Sequence, residues 1–194
     1  VTTFTSPSGL GDRTFSNVSP YVSLAYKPDE NVNLYVKWQK GYKAGGFNVR
    51  ASTVTRFNQG FDPENISVVE GGAKLDLMDH ALRINAAAFY GKYRDIQVNI
   101  QSDPNNVTVT DLLNAGKATI SGVELDVTLH PGPGLTASVN YGYLNARYNE
   151  IINAAGTDIS NVIAFVEAPR NTVTASLEYA FPRFGLGQLT AFVD

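Results

Sequence analysis

The chain has 194 residues, no cysteine, a formal net charge of −3 and 17% charged residues, with 10 Tyr and 10 Phe but one Met and one Trp. That balance excludes disulfides and thiolate metal sites, offers nucleic acid no clustered Lys/Arg surface, and contains no run near the ~18 apolar residues of a membrane-spanning helix. If the chain meets a membrane, it does so as strands.

Alternation of apolar and polar residues marks about eight strands, roughly 15–27, 32–43, 63–77, 82–101, 115–129, 135–148, 171–181 and 188–194. Successive side chains of an extended strand point to opposite faces, so strict alternation means one greasy and one wet face. In the first strand Val18, Val22, Leu24 and Tyr26 oppose Ser19, Tyr21, Ser23 and Lys27. Lys27-Pro28-Asp29-Glu30-Asn31 is a turn by residue type. Val32, Leu34, Val36 and Trp38 then oppose Asn33, Tyr35, Lys37 and Gln39.

Ala44–Asp62 reads as a long, irregular polar loop holding Arg50, Arg56 and Phe57. Val69, Ala73, Leu75 and Leu77 follow on one face, with Glu70, Lys74 and Asp76 on the other, before a turn at Met78–Ala81. The strand from Leu82 sets Ile84, Ala86, Ala88 and Tyr90 against Arg83, Asn85 and Ala87, and is long enough to project past a ~25 Å apolar band. Ser102–Asp111 reads as a second polar loop. Val123, Leu125, Val127 and Leu129 alternate with Glu124, Asp126 and Thr128, and His130-Pro131-Gly132-Pro133-Gly134 turns the chain. Leu135–Tyr148, a third long loop over 149–169, a strand carrying Leu177, Glu178 and Tyr179, and a short final strand complete the pattern.

Short and long connections therefore alternate, with every long one on the same side of a meander. Loops beyond ~12 residues are uncommon in compact domains, whereas outer-membrane barrels combine short turns on one side with long loops on the other. The charged strand residues Lys37, Glu70, Lys74, Asp76, Arg83, Glu124, Asp126 and Glu178 all oppose the aliphatic face. An outward face in lipid selects that segregation, because a lipid-facing Lys or Arg at mid-depth costs about 2–4 kcal/mol. The fold expectation is all-β: an antiparallel up-and-down meander forming part of a transmembrane β-barrel. The alternative is a soluble or surface β-sandwich binding module of adhesin type, with Tyr141, Leu177 and Tyr179 buried against a second sheet.

Several motifs carry a family resemblance. Lys40–Asn48 (KGYKAGGFN), Phe61–Glu64 (FDPE), Val69–Lys74 (VEGGAK), Leu82–Tyr90 (LRINAAAFY), Tyr93–Gln97 (YRDIQ), Asn114–Ala118 (NAGKA) and Ser121–Asp126 (SGVELD) together resemble the barrel of TonB-dependent outer-membrane receptors. Val69 departs from the pattern, which often has an aromatic residue there. The resemblance implies a Gram-negative outer-membrane location and uptake of a scarce ligand such as an iron–siderophore chelate, vitamin B12 or a sugar. It also implies a plug domain in the lumen and an energy-coupling TonB complex as partners. No match to the plug, the coupling box or the last barrel strand is found, so the expectation is an internal piece of the wall that does not transport by itself.

Within that frame the eight charged residues face the lumen, and Tyr42, Arg50, Arg56, Phe57 and Tyr148, on or beside the long loops, are the candidate ligand contacts. No cofactor or catalytic residue is assigned. His80 and His130 fall in short turns, away from the long loops. Glu124 and Asp126 read as wall residues rather than a paired acid and base. Asp103-Pro104-Asn105-Asn106 lacks the spacing of a calcium loop and reads as an Asx-type turn.

Overall fold

The computed structural model describes residues 2–5, 12–103, 106–153 and 155–194. A short hairpin, β1 (Thr2–Thr5) with β2 (Asp12–Phe15), precedes a single eight-stranded sheet. The sheet comprises β3 (Tyr21–Asp29), β4 (Val32–Lys43), β5 (Glu64–Leu77), β6 (Leu82–Asp103), β7 (Asn106–Gly132), β8 (Leu135–Ile151), β9 (Asn171–Ala180) and β10 (Thr190–Val193). Each strand pairs antiparallel with the next, so spatial order equals chain order, the expected up-and-down meander.

The register turns alternation into continuous rows. Leu24, Val36, Gly71, Ala88, Val123 and Tyr143 are successive cross-strand partners, as are Tyr26, Leu34, Ala73, Ala86, Leu125 and Tyr141. Directly opposed residues share a face, so these rows make one uninterrupted apolar surface. Among the described residues nothing covers it: Leu24 is 71%, Val36 47% and Leu177 46% exposed. This overturns the sandwich alternative, which required Leu177 and Tyr179 to pack on a second layer; Tyr179 is also exposed. Among the described residues the buried aliphatic side chains are Ile100, Ala118 and Ile151, all toward the long-loop end of the sheet.

Four features differ from the expectations above. The first sheet strand starts at Tyr21, not near residue 15, because Pro20 has no N–H to add to the ladder; its carbonyl instead accepts from Lys40 N at 3.0 Å. The loop after β4 contains a helical turn, α1 (Val54–Gln59), whose N-cap Thr53 accepts from Arg56 N. Ser102–Asp111 is not a loop: β6 and β7 continue as a paired hairpin from Ile96–Gly116 up to Asp103–Asn106. These strands have 22 and 27 residues, about 70–90 Å at ~3.3 Å per residue, so they stand above their neighbours as a two-stranded arm. Finally, β7 runs through His130 to Gly132, leaving Pro133-Gly134 as the turn, with Gly134 at φ 76°. Pro104 and Asn105 of the candidate Asx-type turn lie outside the described residues; Asn106 Oδ1 does accept from Thr108 N at 3.1 Å and Thr108 Oγ1 at 2.7 Å.

Candidate functional site at the long-loop end

Two long segments, 44–63 and 152–170, flank the β6–β7 arm. The first is clasped at both ends by two side chains that the register places opposite each other, Gln97 and Asn114. Gln97 Nε2 donates to Ala44 O at 2.8 Å and Asp62 O at 3.1 Å, while its N–H donates to Glu64 Oε2 at 2.9 Å. Asn114 Oδ1 accepts from Asp62 N at 2.6 Å, and its Nδ2 donates to Asp62 O at 2.7 Å and Asp95 O at 2.8 Å. Arg13 of β2 adds bonds to the carbonyls of Gln59 and Phe61 and pairs with Asp62. Buried backbone polar groups need partners, and here amide and guanidinium side chains supply them for a segment with no strand of its own.

Higher on the arm, the carboxylate of Asp111 is 2% exposed. It accepts from Ser52 N at 2.8 Å and Ser52 Oγ at 2.7 Å, with Arg56 Nε at 4.0 Å. Burial alone pushes this carboxyl's pKa up, but the Ser52 and Ser102 hydrogen bonds and the Arg56 charge outweigh it and hold it below the ordinary range. Phe47 and Phe57 stack at 5.5 Å within the same loop.

The second segment is organised from inside. Asp158 Oδ1 accepts from Ile151 N at 3.0 Å and Ser160 N at 2.9 Å, and these N–H donors lower its pKa. Asn153 Oδ1 accepts from Ala155 N and Thr157 N, and Tyr148 stacks on Phe165 at 4.2 Å. Between this segment and the arm lies a cleft of ≈ 580 Å³ lined by Val98, Asn99, Ile100, Gln101, Ser102, Ile151, Asn153, Ala155, Ile159 and Ile163. Its size falls in the ~300–1,000 Å³ range of small-molecule sites, and its mix of branched aliphatic and amide groups is that of a ligand cleft.

The five candidate contacts all sit at this end, but not together. Arg56 and Phe57 belong to α1, Arg50 is exposed on the segment before it, Tyr148 is on β8, and Tyr42 on β4 has a buried hydroxyl with no partner among the described residues. None of them lines the ≈ 580 Å³ cleft. Alternation does not point to these residues, because it splits 98–102 and 149–163 between a strand and two polar loops; the signal present is Ile151-Ile152, Ile159 and Ile163 in a nominally polar stretch.

The eight charged strand residues do share one face. Lys37 opposes Glu70, Lys74 is followed across the sheet by Asn85 and Asp126, Asp76 opposes Arg83, and Glu124 and Glu178 occupy the same side of β7 and β9. Glu70 Oε1 receives both Lys37 Nζ and Tyr35 Oη at 2.8 Å. Asp76 Oδ2 takes Arg83 Nη2 and His80 Nδ1 at 3.0 Å each. The Tyr35 ring lies on Gly72, where an added Cβ would come within 2.6 Å of it.

The family model described as "TonB dependent receptor-like, beta-barrel" matches residues 1–193. The chain is 28% identical over 152 residues to the probable TonB-dependent siderophore receptor PiuA of Acinetobacter baumannii, covering 74% of this chain and 20% of that protein. It is 30% identical over 142 residues to the pesticin receptor of Yersinia pestis, covering 72% and 20%. The ferric yersiniabactin uptake receptor FyuA of Yersinia pestis superposes with a TM-score of 0.71 at 22% identity, over 93% of this chain and 25% of that one. The chain thus spans about a fifth of the length of the curated relatives it matches. An open meander with an exposed apolar face, one tall paired arm and long segments on one side only is a piece of barrel wall, and the chain belongs to the TonB-dependent receptor family of the Gram-negative outer membrane.

Proposed function

We propose that this chain forms part of the wall of an outer-membrane transporter that captures a ferric siderophore and imports it with energy from a TonB complex. The observation that carries the reading is the pairing of an uncovered apolar face with an opposite face holding every one of Lys37, Glu70, Lys74, Asp76, Arg83, Glu124, Asp126 and Glu178. The first face meets hydrocarbon; the second lines a polar lumen that houses the plug domain. Transporters of this architecture have about 22 strands, so eight strands make a little over a third of the circumference. β3 and β10 leave their outer edges unpaired, and lipid cannot satisfy such edges, so both join further wall strands.

The long-loop end is the ligand entrance, where Tyr42, Arg50, Arg56, Phe57 and Tyr148 contact the cargo as it docks. The relatives support a siderophore over vitamin B12 or a sugar, since their names include siderophore and ferric-yersiniabactin receptors. The role is transport rather than catalysis. The two histidines lie at the short-turn end, engaged with Asp76 and Thr136.

The test is growth of an iron-starved host, lacking its own siderophore receptors, that expresses the full-length protein, on a panel of ferric siderophores with and without TonB. Rescue by at least one chelate, abolished without TonB, is expected. Rescue by none, or rescue that persists without TonB, overturns the reading.

A further inference from the structure

We infer that the apolar face carries at its long-loop rim a binding row for anionic, phosphate-bearing lipid headgroups, formed by Lys40, Lys92 and Arg147. The inference rests on the reading of that face as lipid-facing. The register builds the row: Lys40 opposes Ser67, Ser67 opposes Lys92, Lys92 opposes Thr119 and Thr119 opposes Arg147. The three cations therefore project from alternate strands, spaced by roughly 10 Å at ~4.8 Å per strand. All three are exposed, and among the described residues none has an acidic partner.

One pair step toward the short turns lies the row of Trp38, Val69 and Tyr90. Lys40 Nζ sits 5.7 Å from the Trp38 ring centroid and Lys92 Nζ 5.8 Å from that of Tyr90. An aromatic ring at the margin of an apolar band, with an ammonium resting beside it, is the geometry of an interfacial anchor. The ring occupies headgroup depth, the alkyl stem follows the apolar surface, and the charge stays at the polar boundary.

The sign of the charge completes the argument. On this face the charged row that borders the apolar band is cationic throughout, Lys40, Lys92 and Arg147; the next row out holds Arg94 and Lys117, the latter bound to Glu150 at 2.8 Å. Glu64, Glu70, Asp76, Glu124, Asp126 and Glu178 lie on the opposite face. At the short-turn rim the same face ends in Leu77, Leu82, Leu129 and Leu135, with the acid Asp29 opposite Val32. Three cations with no acid among them in the row that borders the apolar band, on one side of that band, complement an anionic leaflet.

The experiment uses the full-length receptor in nanodiscs of phosphatidylcholine mixed with phosphatidylglycerol, with retained lipid counted by native mass spectrometry. The wild type is expected to retain phosphatidylglycerol preferentially, and K40Q/K92Q/R147Q to lose that preference by roughly fivefold per cation removed. K40R/K92R/R147K keeps it, and Arg183→Gln, in the turn at the opposite rim, leaves it unchanged. A triple Gln variant that inserts and folds normally yet retains phosphatidylglycerol as the wild type does overturns this inference alone. A wild-type receptor that does not insert into the bilayer overturns the barrel reading with it.

Discussion

The lower sheet and the β6–β7 arm are built from the same strands under opposite rules. Below Tyr93 the β4–β5 and β5–β6 ladders are regular, aliphatic side chains such as Val36 and Val69 are exposed, and the side that carries charge is occupied by bonded pairs such as Lys37–Glu70 and Asp76–Arg83. Above the irregularity between Tyr93 and Ile96, where Asp95 takes φ 56°, the aliphatic residues Ile100 and Ile151 are buried and the segments between strands dock through polar contacts. The difference marks where the solvent changes. A surface in hydrocarbon has no reason to hide Val or Leu, while one in water recovers the ordinary hydrophobic driving force.

The sharpest way to break that comparison is to cut the same kind of side chain on both sides of the boundary. Ile151, 1% exposed, is buried between β7 and the segment that follows β8, so Ile151→Ala is expected to cost about 2–5 kcal/mol of local stability. Hydrogen exchange in full-length receptor should show it as lost protection across 149–163, with the amides of the lower sheet unchanged. Equal loss in both regions would mean that the arm and the wall form a single packed core.

A second cut introduces charge. Val123 sits mid-row on the apolar face and Ser138 on the opposite one. Val123→Arg is expected to lower the unfolding free energy in bilayers by about 2–4 kcal/mol, against about 0–1 for Ser138→Arg. Similar costs for the two in denaturant titrations would remove the distinction between lipid-facing and lumen-facing surfaces.

Where two solvents meet a strand, sequence reads well; the eight-stranded meander and the shared side of Lys37, Glu70, Lys74, Asp76, Arg83, Glu124, Asp126 and Glu178 follow from alternation alone. Legibility stops at the boundary. Ser102–Asp111 looks like a polar loop because a strand standing in water on both faces need not alternate, and α1 has six residues, too few for a helical period. The motifs FDPE, YRDIQ and NAGKA are visible as strings of residues. That Asp62, Gln97 and Asn114 meet in one clasp depends on pairing across 17 to 52 residues of sequence, which no local pattern encodes. Arg56 and Phe57 were identifiable as loop residues of functional type, but their partners Asp111 and Phe47 were not.

The smallest effect probes how the arm holds its loop. Removing the acceptor of the Ser52 bonds, Asp111→Ala, is expected to cost about 1–3 kcal/mol of docking, read as faster exchange at Ser52 and through α1 with no change in global unfolding. The pH dependence has a definite sign. Because the folded carboxyl titrates below its ordinary value, its contribution is fully present above the unfolded pKa of about 3.9 and is lost only as pH falls through the lower folded value. Ser52 protection, corrected for the intrinsic exchange rate, should therefore hold between neutrality and pH ~5, and weaken only in stronger acid. Protection that already collapsed near pH 5 would show that Asp111 is not the group holding the loop, and the boundary between wall and arm would then have to be sought in the Gln97–Asn114 clasp instead.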